Sequence, residues 1–467
     1  MEKLTVITTF SGIGMQERGL INSKCFDVDI LATSDIDKNA ILSYAAIHCG
    51  LTMDLVKSYP DYPPKEAMIK ELTEKNIGFD FEKKKATNWK QIGNKKDDTE
   101  LKKYWLAVHL SKNLGDISKV KELPYADMLT FSFPCTDISV AGQQKGLSFE
   151  DWQKGTSTRS GLVWEIIRLL KIAKINNQLP KYLLMENVTA LLSKNFFGDF
   201  LFLNRLINEI GYDVYYKEIN GKNTGVPQNR PRVFGMYIRK DIDKRKFYFP
   251  KPFDKGLRLA DVLEKNVDDK YFLSQFVQDR FVLTDKTFTK NIIGTTKTGT
   301  RIGQHDVVYQ TNGVIGCLMA TDYKQPKQII VKTPNKCHTI GKIEIKANET
   351  IKRIFAKDGI CPTLTTMQGG YRQPKIINEE DFSIRKITPS ECFVLMGLTK
   401  EDCKKCQNMG ESDSSLYKQA GNGIITNCIK LIAEHLYKAQ YDENYKCEDE
   451  IYNPNKISYE NIGLWDF

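Results

Sequence analysis

The sequence lacks two features that would place it outside the cytosol. No window approaches the roughly 18 consecutive apolar residues that a membrane-spanning helix needs, and the N-terminus, MEKLTVITTF, has no apolar segment of signal length. The 11 cysteines are scattered, without the recurring spacing of a disulfide framework. We therefore expect a cytoplasmic protein without membrane contact, in which most cysteines are free thiols.

The sequence also has little that could hold a structural metal. Cys403 and Cys406 form a lone CxxC in EDCKKCQN. A zinc knuckle needs a second pair of cysteines or histidines at ligand spacing, and none follows. We expect no metal site and interpret this segment as a charged helix that carries two cysteines.

The composition is that of a globular protein with a modest positive charge. The 467 residues are 41% hydrophobic and 27% charged, and their number suggests two or three domains. Lys and Arg number 68 against 58 Asp and Glu, a formal net charge of +10. This excess favours a polyanionic partner such as nucleic acid, although solvated surface lysines give the same total.

Apolar runs alternate with helical patterns over the first 250 residues. Helices are predicted at 161–175 and 199–210, and strands at 4–9, 28–34, 127–133, 181–186 and 232–238. This alternation predicts an α/β fold with a doubly wound, mostly parallel, Rossmann-like sheet. The Lys-rich, weakly periodic segment 51–110 is typical of helical excursions from such a sheet.

The composition and hydrophobic pattern of the sequence change after Pro252. Residues 251–380 are rich in Thr, Gly, Gln and Lys with short β-like runs, which indicates a second, smaller, β-rich domain. A turn and a strong amphipathic helix at 416–437 then look like core sequence again. We predict one domain at 1–250 plus 410–445, a second at 251–409, and a polar tail at 446–467.

The first candidate site follows the first predicted strand. Phe10, Gly12 and Gly14 form a glycine-punctuated turn before a helix, and Asp35 and Ile36 follow the second strand. Glycines let the backbone approach a ligand, and an acid at that strand end can hold a ribose hydroxyl. The pattern fits a dinucleotide or S-adenosylmethionine; the alternative is a turn that is merely tight.

Two further motifs stand at the ends of predicted strands, where side chains point into the ligand crevice. Cys135 follows Pro134 and is placed as a nucleophile, which a cationic neighbour would activate by lowering the thiol pKa. The alternative is an inert buried cysteine. Glu186, in MENV, could protonate a substrate nitrogen, or could simply cap a helix.

A fourth motif, QNRPR, precedes the strand VFGMYI. Gln228 begins it, and Arg230 and Arg232, two residues apart, can face the same way on an extended segment. Guanidinium groups suit a carbonyl oxygen or a phosphate. Solvated surface arginines are the alternative.

The order of these motifs resembles the motif series of the DNA cytosine carbon-5 methyltransferases. The series comprises FSGIG, the acid, Gly115-Asp116-Ile117, the Pro-Cys pair, ENV, QxRxR, RKITPSEC from Arg385, and KQAGN ending at Asn422. The resemblance covers about 1–250 and 385–437. It implies a large catalytic domain, a smaller target-recognition domain, and double-stranded DNA in the cleft between them.

By motif position, the resemblance also implies roles for individual residues. S-adenosylmethionine would contact Phe10, Gly12, Gly14, Asp35, Ile36, Asp116, Ile117, Pro134 and Asn422. Cys135 would attack carbon 6 of a flipped cytosine, Glu186 would pair with its ring nitrogen 3, and Arg232 would hold its exocyclic oxygen. Arg230 would join these catalytic residues and, with Ser139, contact the loop or backbone, and Ser139 and Gln228 would be among the contacts to substrate DNA.

An imperfect repeat lies in the predicted recognition domain, where 312–330 resembles 358–377. Two copies cannot form a solenoid, so related hairpins or loops are the simpler interpretation. The dense Thr, Gln, Lys and Arg suggest that both segments face the major groove, with Lys324 and Arg372 as DNA contacts. We expect a monomer, with which a separate restriction endonuclease could be paired.

The chain departs from the family pattern at three positions. Thr136 stands where glutamine is usual, Asp35 replaces the more usual glutamate, and Gly423 replaces a common serine. None of these removes a reacting group. The alternatives are an RNA cytosine methyltransferase, a catalytically silent DNA-binding protein, and a nicotinamide-dependent reductase that shares only the first turn.

Overall fold

The computed structural model describes most of residues 1–446. The segments outside the description are 81–83, 136, 139–145, 148, 155–157, 275–281, 284–291, 297–305, 312, 333–338, 343–352, 357–374, 378–381 and 447–467. The predicted polar tail, apart from its first residue, therefore lies outside the described residues, as does most of the second copy of the repeat.

A six-stranded sheet forms the centre of the molecule. Its strands are β1 (Glu2–Thr9), β2 (Phe26–Ser34), β3 (Met128–Phe131), β4 (Tyr182–Val188), β5 (Tyr212–Asn220) and β7 (Pro231–Arg239). Their spatial order is β2-β1-β3-β4-β7-β5, and the first four are mutually parallel. Only β7 runs antiparallel to its neighbours, so the predicted mostly parallel sheet is confirmed.

Both faces of this sheet are buried, because successive side chains of a strand point to opposite faces. On β4, Leu184 joins one hydrophobic cluster and Leu183 joins the other. Helix α1 (Met15–Ser23) packs on the first face, while α8 (Val163–Ile175) and α9 (Phe197–Ile210) cover the second. The parallel strands consequently end together at one edge, where the connecting loops gather.

The segment 51–110 forms helices, as predicted. After α2 (Lys38–His48) come α3 (Met53–Ser58), α4 (Lys65–Glu74), α5 (Trp89–Gly93) and α6 (Thr99–Leu110). These helices share a third hydrophobic cluster with α2, whose members include Ile41, Leu72, Trp89 and Leu106. The helical segment 51–110 is thus a packed layer at the β2 side of the sheet. No helix in the described part of the chain is long and apolar enough to cross a membrane.

The second region is rich in strands, as predicted. A five-stranded sheet has the order β16-β12-β10-β9-β8, and three further strands pair as β13-β14-β15. The bounds are β8 (Val282–Leu283), β9 (Ile292–Thr295), β10 (Val307–Tyr309), β12 (Gln328–Lys332), β13 (Thr339–Lys342), β14 (Arg353–Ala356), β15 (Lys375–Ile377) and β16 (Phe382–Lys386). Two short parallel strands, β6 (Gln228–Asn229) and β11 (Ile315–Gly316), join this region to the first.

Four helices complete the fold. They are α10 (Pro389–Leu395), α11 (Lys400–Asn408), α12 (Asp413–Asn422) and α13 (Thr426–Tyr441), with α7 (Phe149–Gln153) earlier in the chain. A capping box begins α10: Glu391 N donates to Thr388 Oγ1, and Thr388 N donates to Glu391 Oε2. Helix α13 packs against α1, so the end of the chain completes the domain that its beginning starts.

Sequence and structure differ in three places. The predicted strand set omits β5, which pairs along β7 at the sheet edge. The segment 416–437, predicted as a turn and then a helix, begins within α12, and its non-helical part is confined to 423–425. The predicted domain boundaries stay predictions, although α11, placed in the second domain, packs against α2 of the first.

One carboxyl group lies inside the core beneath the glycine turn. Glu17 on α1 is fully buried, and its Oε1 accepts a hydrogen bond from Thr8 Oγ1 at 2.5 Å. Burial raises the pKa of Glu17 to about 7, and the Thr8 hydrogen bond only partly opposes this. The folded protein therefore keeps Glu17 protonated at pH values where the unfolded chain has already ionised it.

We predict that Glu17→Gln stabilises the protein at pH 8 and leaves its stability nearly unchanged at pH 5. As pH rises from about 4.5 to about 7, Glu17 ionises in the unfolded wild-type chain but stays protonated in the folded one, which lowers the free energy of unfolding. Glutamine does not ionise, so the variant does not lose this stability. The difference in unfolding free energy should approach about 3 kcal/mol at pH 8, measured by denaturant unfolding at both pH values.

The matched control is Glu122→Gln, which changes an exposed glutamate outside any helix or strand. Its unfolding free energy should follow that of the wild type at both pH values. Equal stability of Glu17→Gln and the wild type at pH 8 would contradict the assignment of a protonated Glu17.

Candidate active site

Cys135 lies in the loop that leaves β3 at the edge where the parallel strands end. Phe133 is buried in the core, while Pro134 and Cys135 are partly exposed. Asn187, at the end of neighbouring β4, donates from Nδ2 to the carbonyl oxygen of Phe133 at 3.1 Å. The ENV segment therefore holds the Pro-Cys loop in place, and two motifs that lie 54 residues apart meet at one point.

Glu186 and Arg232 form a buried ion pair next to this loop. In the antiparallel pairing of β4 and β7, Val188 lies opposite Arg232 and Glu186 opposite Phe234. Glu186 and Arg232 are thus diagonal neighbours on one face of the sheet. The distance from Arg232 Nε to Glu186 Oε1 is 3.2 Å. Burial raises the pKa of Glu186, while the charge of Arg232 opposes that rise.

Arg230 faces backbone carbonyls instead of open space. Its Nη1 donates to the carbonyl of Leu318 at 2.6 Å, and its Nη2 donates to the carbonyls of Gly421 at 2.9 Å and Gly423 at 2.5 Å. The side chain is buried. This arrangement joins the QNRPR segment to both the second region and the end of α12; a catalytic role of Arg230 stays a prediction.

The structure adds Cys317, which the sequence analysis did not identify. Its Sγ lies 3.2 Å from Arg230 Nη1 and 3.9 Å from Arg232 Nη2. Burial raises the pKa of the Cys317 thiol, but the two guanidinium groups outweigh this and leave the pKa below its usual value. The sequence signal for Cys317 is its position in the first copy of the repeat, for which the sequence predicts only DNA contact.

The pKa of Cys135 differs from expectation. Arg232 and Arg230 do favour the thiolate, as a cationic neighbour should. Burial, together with the charge of Glu186, nevertheless raises the pKa of Cys135 above its usual value. The cationic neighbours thus act in the predicted direction, but burial outweighs them and favours the Cys135 thiol in the protein without substrate.

The glycine turn after β1 is held by left-handed backbone conformations. Phe10 has φ 54° and Gly12 has φ 55°. A Cβ built on Gly12 would meet no atom within 4 Å, which leaves open space beside this backbone. At Gly14, in contrast, a Cβ would lie 2.3 Å from His48 Nε2, so this glycine permits packing of α2 and not approach of a ligand.

Asp35 lies directly beside this turn. Its Oδ2 accepts from Gly12 N at 2.8 Å and its Oδ1 from Asp37 N at 2.9 Å. Burial, followed by the charge of Asp37, raises the pKa of Asp35 to about 6. Ile36 accepts a backbone hydrogen bond from Gly78 at 2.7 Å, which brings the helical segment 51–110 to the same edge.

Asp116 and Asn422 lie in two further segments that contact this region. Asp116 is followed by a 3-10 turn at Ile117–Lys119, and its Oδ1 accepts from Ser118 N at 3.0 Å. Asn422 is exposed at the end of α12. Ile424, two residues later, donates its backbone N–H to Met15 Sδ at 3.2 Å. The KQAGN segment therefore lies against the start of α1, beside the glycine turn.

The predicted DNA contacts have mixed outcomes. Gln228 is fully buried, with its amide bonded to the carbonyl of Leu395 at 2.9 Å and to the N–H of Leu318 at 3.2 Å. It has no surface left to contact DNA, so that prediction is wrong. Lys324 is exposed, with its Nζ 5.7 Å from the centre of the Tyr323 ring. Ser139 and Arg372 lie outside the described residues.

The CxxC segment is the helix that the sequence predicts. Cys403 and Cys406 are both buried in α11. Among the described residues, no group of three or more His, Cys, Asp or Glu side chains is arranged to hold a metal ion.

Comparison with known proteins agrees with this arrangement. Type II methyltransferase M2.ScrFI of Lactococcus lactis subsp. cremoris is 29% identical over 440 residues, 94% of this chain and 100% of that protein. Orphan methyltransferase M.SssI of Spiroplasma monobiae is 34% identical over 298 residues, 62% of this chain and 72% of that protein. The solved Entamoeba histolytica methyltransferase EhMeth shares the fold, with a TM-score of 0.50 at 14% identity, over 95% of this chain and 99% of that one.

The family profile described as C-5 cytosine-specific DNA methylase matches residues 75–438. This range contains Cys135, Glu186, Arg230 and Arg232, and it runs through both regions of the fold into α13. The chain belongs to the C-5 cytosine-specific DNA methylase family and is a DNA (cytosine-5)-methyltransferase.

Proposed function

We propose that this enzyme transfers a methyl group from S-adenosylmethionine to carbon 5 of a cytosine rotated out of double-stranded DNA. The observation that carries the proposal is the convergence of Cys135 with the Glu186–Arg232 pair at the ends of neighbouring strands. A nucleophile, an acid and a cation at this point can act together on one pyrimidine ring, at its carbon 6, its ring nitrogen 3 and its exocyclic oxygen. The target atom is inaccessible within a stacked duplex, so the base must leave the helix at a cost of a few kcal/mol.

The covalent step assigns each of the three side chains a task. The Cys135 thiolate adds to carbon 6, Glu186 donates a proton to ring nitrogen 3, and Arg232 holds the exocyclic oxygen. Carbon 5 then becomes an enamine carbon that can accept the methyl group. Loss of the carbon 5 proton to water and departure of Cys135 from carbon 6 restore the aromatic ring and return the thiolate, and the proton on ring nitrogen 3 goes back to Glu186.

The pKa shifts at the site support these tasks. The raised pKa of Glu186 favours the protonated acid that the step requires. Once Glu186 carries its proton, it no longer opposes ionisation of Cys135 by its charge, while Arg232 continues to favour the thiolate. Protonation of the acid and activation of the nucleophile are thus linked through charge.

The residues at the glycine turn fit S-adenosylmethionine, which supplies an electrophilic methyl group when bound. Asp35 and Asp116 offer carboxylate acceptors for the hydroxyl and amino groups of an adenosine. Gly12 leaves open space beside the backbone where a ligand could lie. Phe10, Ile36, Ile117, Pro134 and Asn422 would complete this pocket; we do not propose direct contact by Gly14.

The second region is proposed to bind the DNA. The loop 317–324 begins at Cys317, beside the two arginines, and ends at the exposed Lys324. One loop thereby reaches from the base site to a surface that can contact the duplex. The companion endonuclease and the monomeric state remain predictions.

We predict that Cys135→Ser abolishes methyl transfer and leaves duplex affinity nearly unchanged, because most of that affinity comes from phosphate contacts. Methyl incorporation from labelled S-adenosylmethionine and duplex binding are to be measured on the same preparation. More than a few per cent of wild-type turnover would reject Cys135 as the nucleophile. Cys25→Ser, at a partly buried cysteine in the turn before β2, should retain full activity.

A duplex with 5-fluorocytosine at the target provides a second measurement. Fluorine replaces the proton that must leave carbon 5, so the enzyme should remain covalently attached and migrate with the DNA on a denaturing gel. Wild-type enzyme should give this product and Cys135→Ser should not. A product that persists in the variant would contradict the proposed adduct.

We predict that S-adenosylmethionine binds without DNA and binds more tightly as pH rises from 5 to 7.5. The Asp35 carboxylate accepts hydroxyl donors best when ionised, and its pKa of about 6 lies in that range. Calorimetry should show about a tenfold change in Kd, which Asp35→Asn should remove. Asp116→Ala should weaken binding at every pH; unchanged affinity in both variants would reject the pocket.

We predict that Lys324→Ala alters DNA binding, tested on a randomised duplex library at two salt concentrations. A phosphate contact should weaken all sequences alike and reduce the salt slope by about 1, whereas a base contact should relax preference at one position. Lys171→Ala, an exposed lysine on α8, is the control. If preference, affinity and salt slope all stay unchanged, this loop does not face DNA.

A further inference from the structure

The helical segment 51–110 reaches the proposed adenosine pocket through the turn that ends α4. Asp116 N donates to the carbonyl of Lys75 at 3.0 Å, and Gly78 N donates to the carbonyl of Ile36 at 2.7 Å. The approach is close, since a Cβ on Gly115 would lie 2.4 Å from the Lys75 oxygen. Residues 75–78 therefore link the two loops that carry Ile36 and Asp116.

The turn is a Schellman motif with asparagine at its left-handed position. Ile77 N donates to the carbonyl of Leu72 and Asn76 N to that of Thr73, each at 3.0 Å, and Asn76 has φ 57°. Glycine adopts this conformation without steric cost and is the usual residue there, with asparagine next. Backbone geometry alone thus gives no reason to prefer asparagine to glycine.

The side chain of Asn76 supplies that reason. Its Nδ2 donates to Asp116 Oδ2 at 2.8 Å. The other oxygen, Asp116 Oδ1, accepts from Ser118 N at 3.0 Å and Ser118 Oγ at 2.7 Å. Both oxygens of this carboxylate are therefore held, and Asn76 fixes the one that Ser118 does not.

We propose that Asn76 is a positioning residue for the S-adenosylmethionine site, which orients the Asp116 carboxylate toward the adenine amino group. The inference rests on the proposed function. It gives the helical segment 51–110 a task in the catalytic domain: its α4 turn forms the adenine side of the pocket. Asn76 acts through Asp116 and does not itself contact the reacting atoms.

Asn76→Gly tests the proposal with little risk to folding, because glycine suits the left-handed position. The Kd for S-adenosylmethionine, measured by calorimetry without DNA, should rise about tenfold, as expected for loss of a hydrogen bond to a charged group. The KM for S-adenosylmethionine should rise in parallel, while kcat at saturating cofactor should change by less than about twofold.

The chain contains a matched control at the end of α8. Asn177 has φ 55° in the same motif, with Asn177 N donating to Lys174 O and Gln178 N to Ala173 O, and its side chain is exposed. Asn177→Gly makes the same chemical change at the end of a helix in the second hydrophobic cluster, outside the helical segment 51–110. Its Kd should equal that of the wild type. If Asn76→Gly also binds like the wild type, Asn76 does not position the site.

A double-mutant comparison separates action through Asp116 from a general loosening of the loop. In an Asp116→Ala background, Asn76→Gly should cause no further rise in Kd, because the two residues form one unit. A full additional tenfold loss would overturn the proposed route. If the wild-type enzyme binds no S-adenosylmethionine, the proposed function fails together with this inference; if only the Asn76 comparison fails, the function stands.

Discussion

The guanidinium group of Arg230 is the contact on which the arrangement of the active site depends. It donates to the carbonyl of Leu318 within the second region and to that of Gly421, which lies 191 residues after Arg230 in the sequence. A buried cation depends on the hydrogen bonds that replace its lost water, and removing the partners of such a charge costs several kcal/mol. The three segments must consequently meet before the site is complete.

This requirement links recognition to chemistry. The carbonyl that Arg230 holds at Leu318 adjoins Cys317, whose sulfur also lies against Arg232. Arg232 in turn is paired with Glu186. A shift of the loop 317–324 on a duplex would therefore change the surroundings of both arginines. The backbone at Gly421 also packs tightly against this loop, since a Cβ on Gly421 would lie 2.2 Å from the backbone of Met319.

Much of this could be predicted from sequence, because the parallel strands are short, apolar and end in polar residues with chemical meaning. The loops that carry Cys135, Glu186 and Asp35 meet at one sheet edge, as the doubly wound pattern requires. Contacts between distant segments were not predictable. Gln228 and Arg230 have similar sequence surroundings, yet the first is sealed in the interior and the second binds three carbonyls, because β6 pairs with β11.

The pKa values of the site also could not be predicted from the sequence. Sequence placed a cation near Cys135, and the structure agrees, but the amount of water that folding removes around the thiol decides the sign of the shift. Asn76 was missed for a related reason. Its position after α4 is an ordinary helix end in sequence, and only the meeting of that turn with Asp116 gives the side chain its partner.

The packing of α13 on α1 has a consequence for the order in which the enzyme can form. A Cβ on Gly19 would lie 2.4 Å from Ile429 Cβ, so the two helices are in direct contact although they are far apart in the sequence. During synthesis the N-terminal segment emerges first, but the surface of α1 that α13 covers stays exposed until residues 426–441 have been made. A nascent chain that already contains its glycine turn, Cys135 and its two arginines but not yet α13 therefore still lacks one wall of the first hydrophobic core.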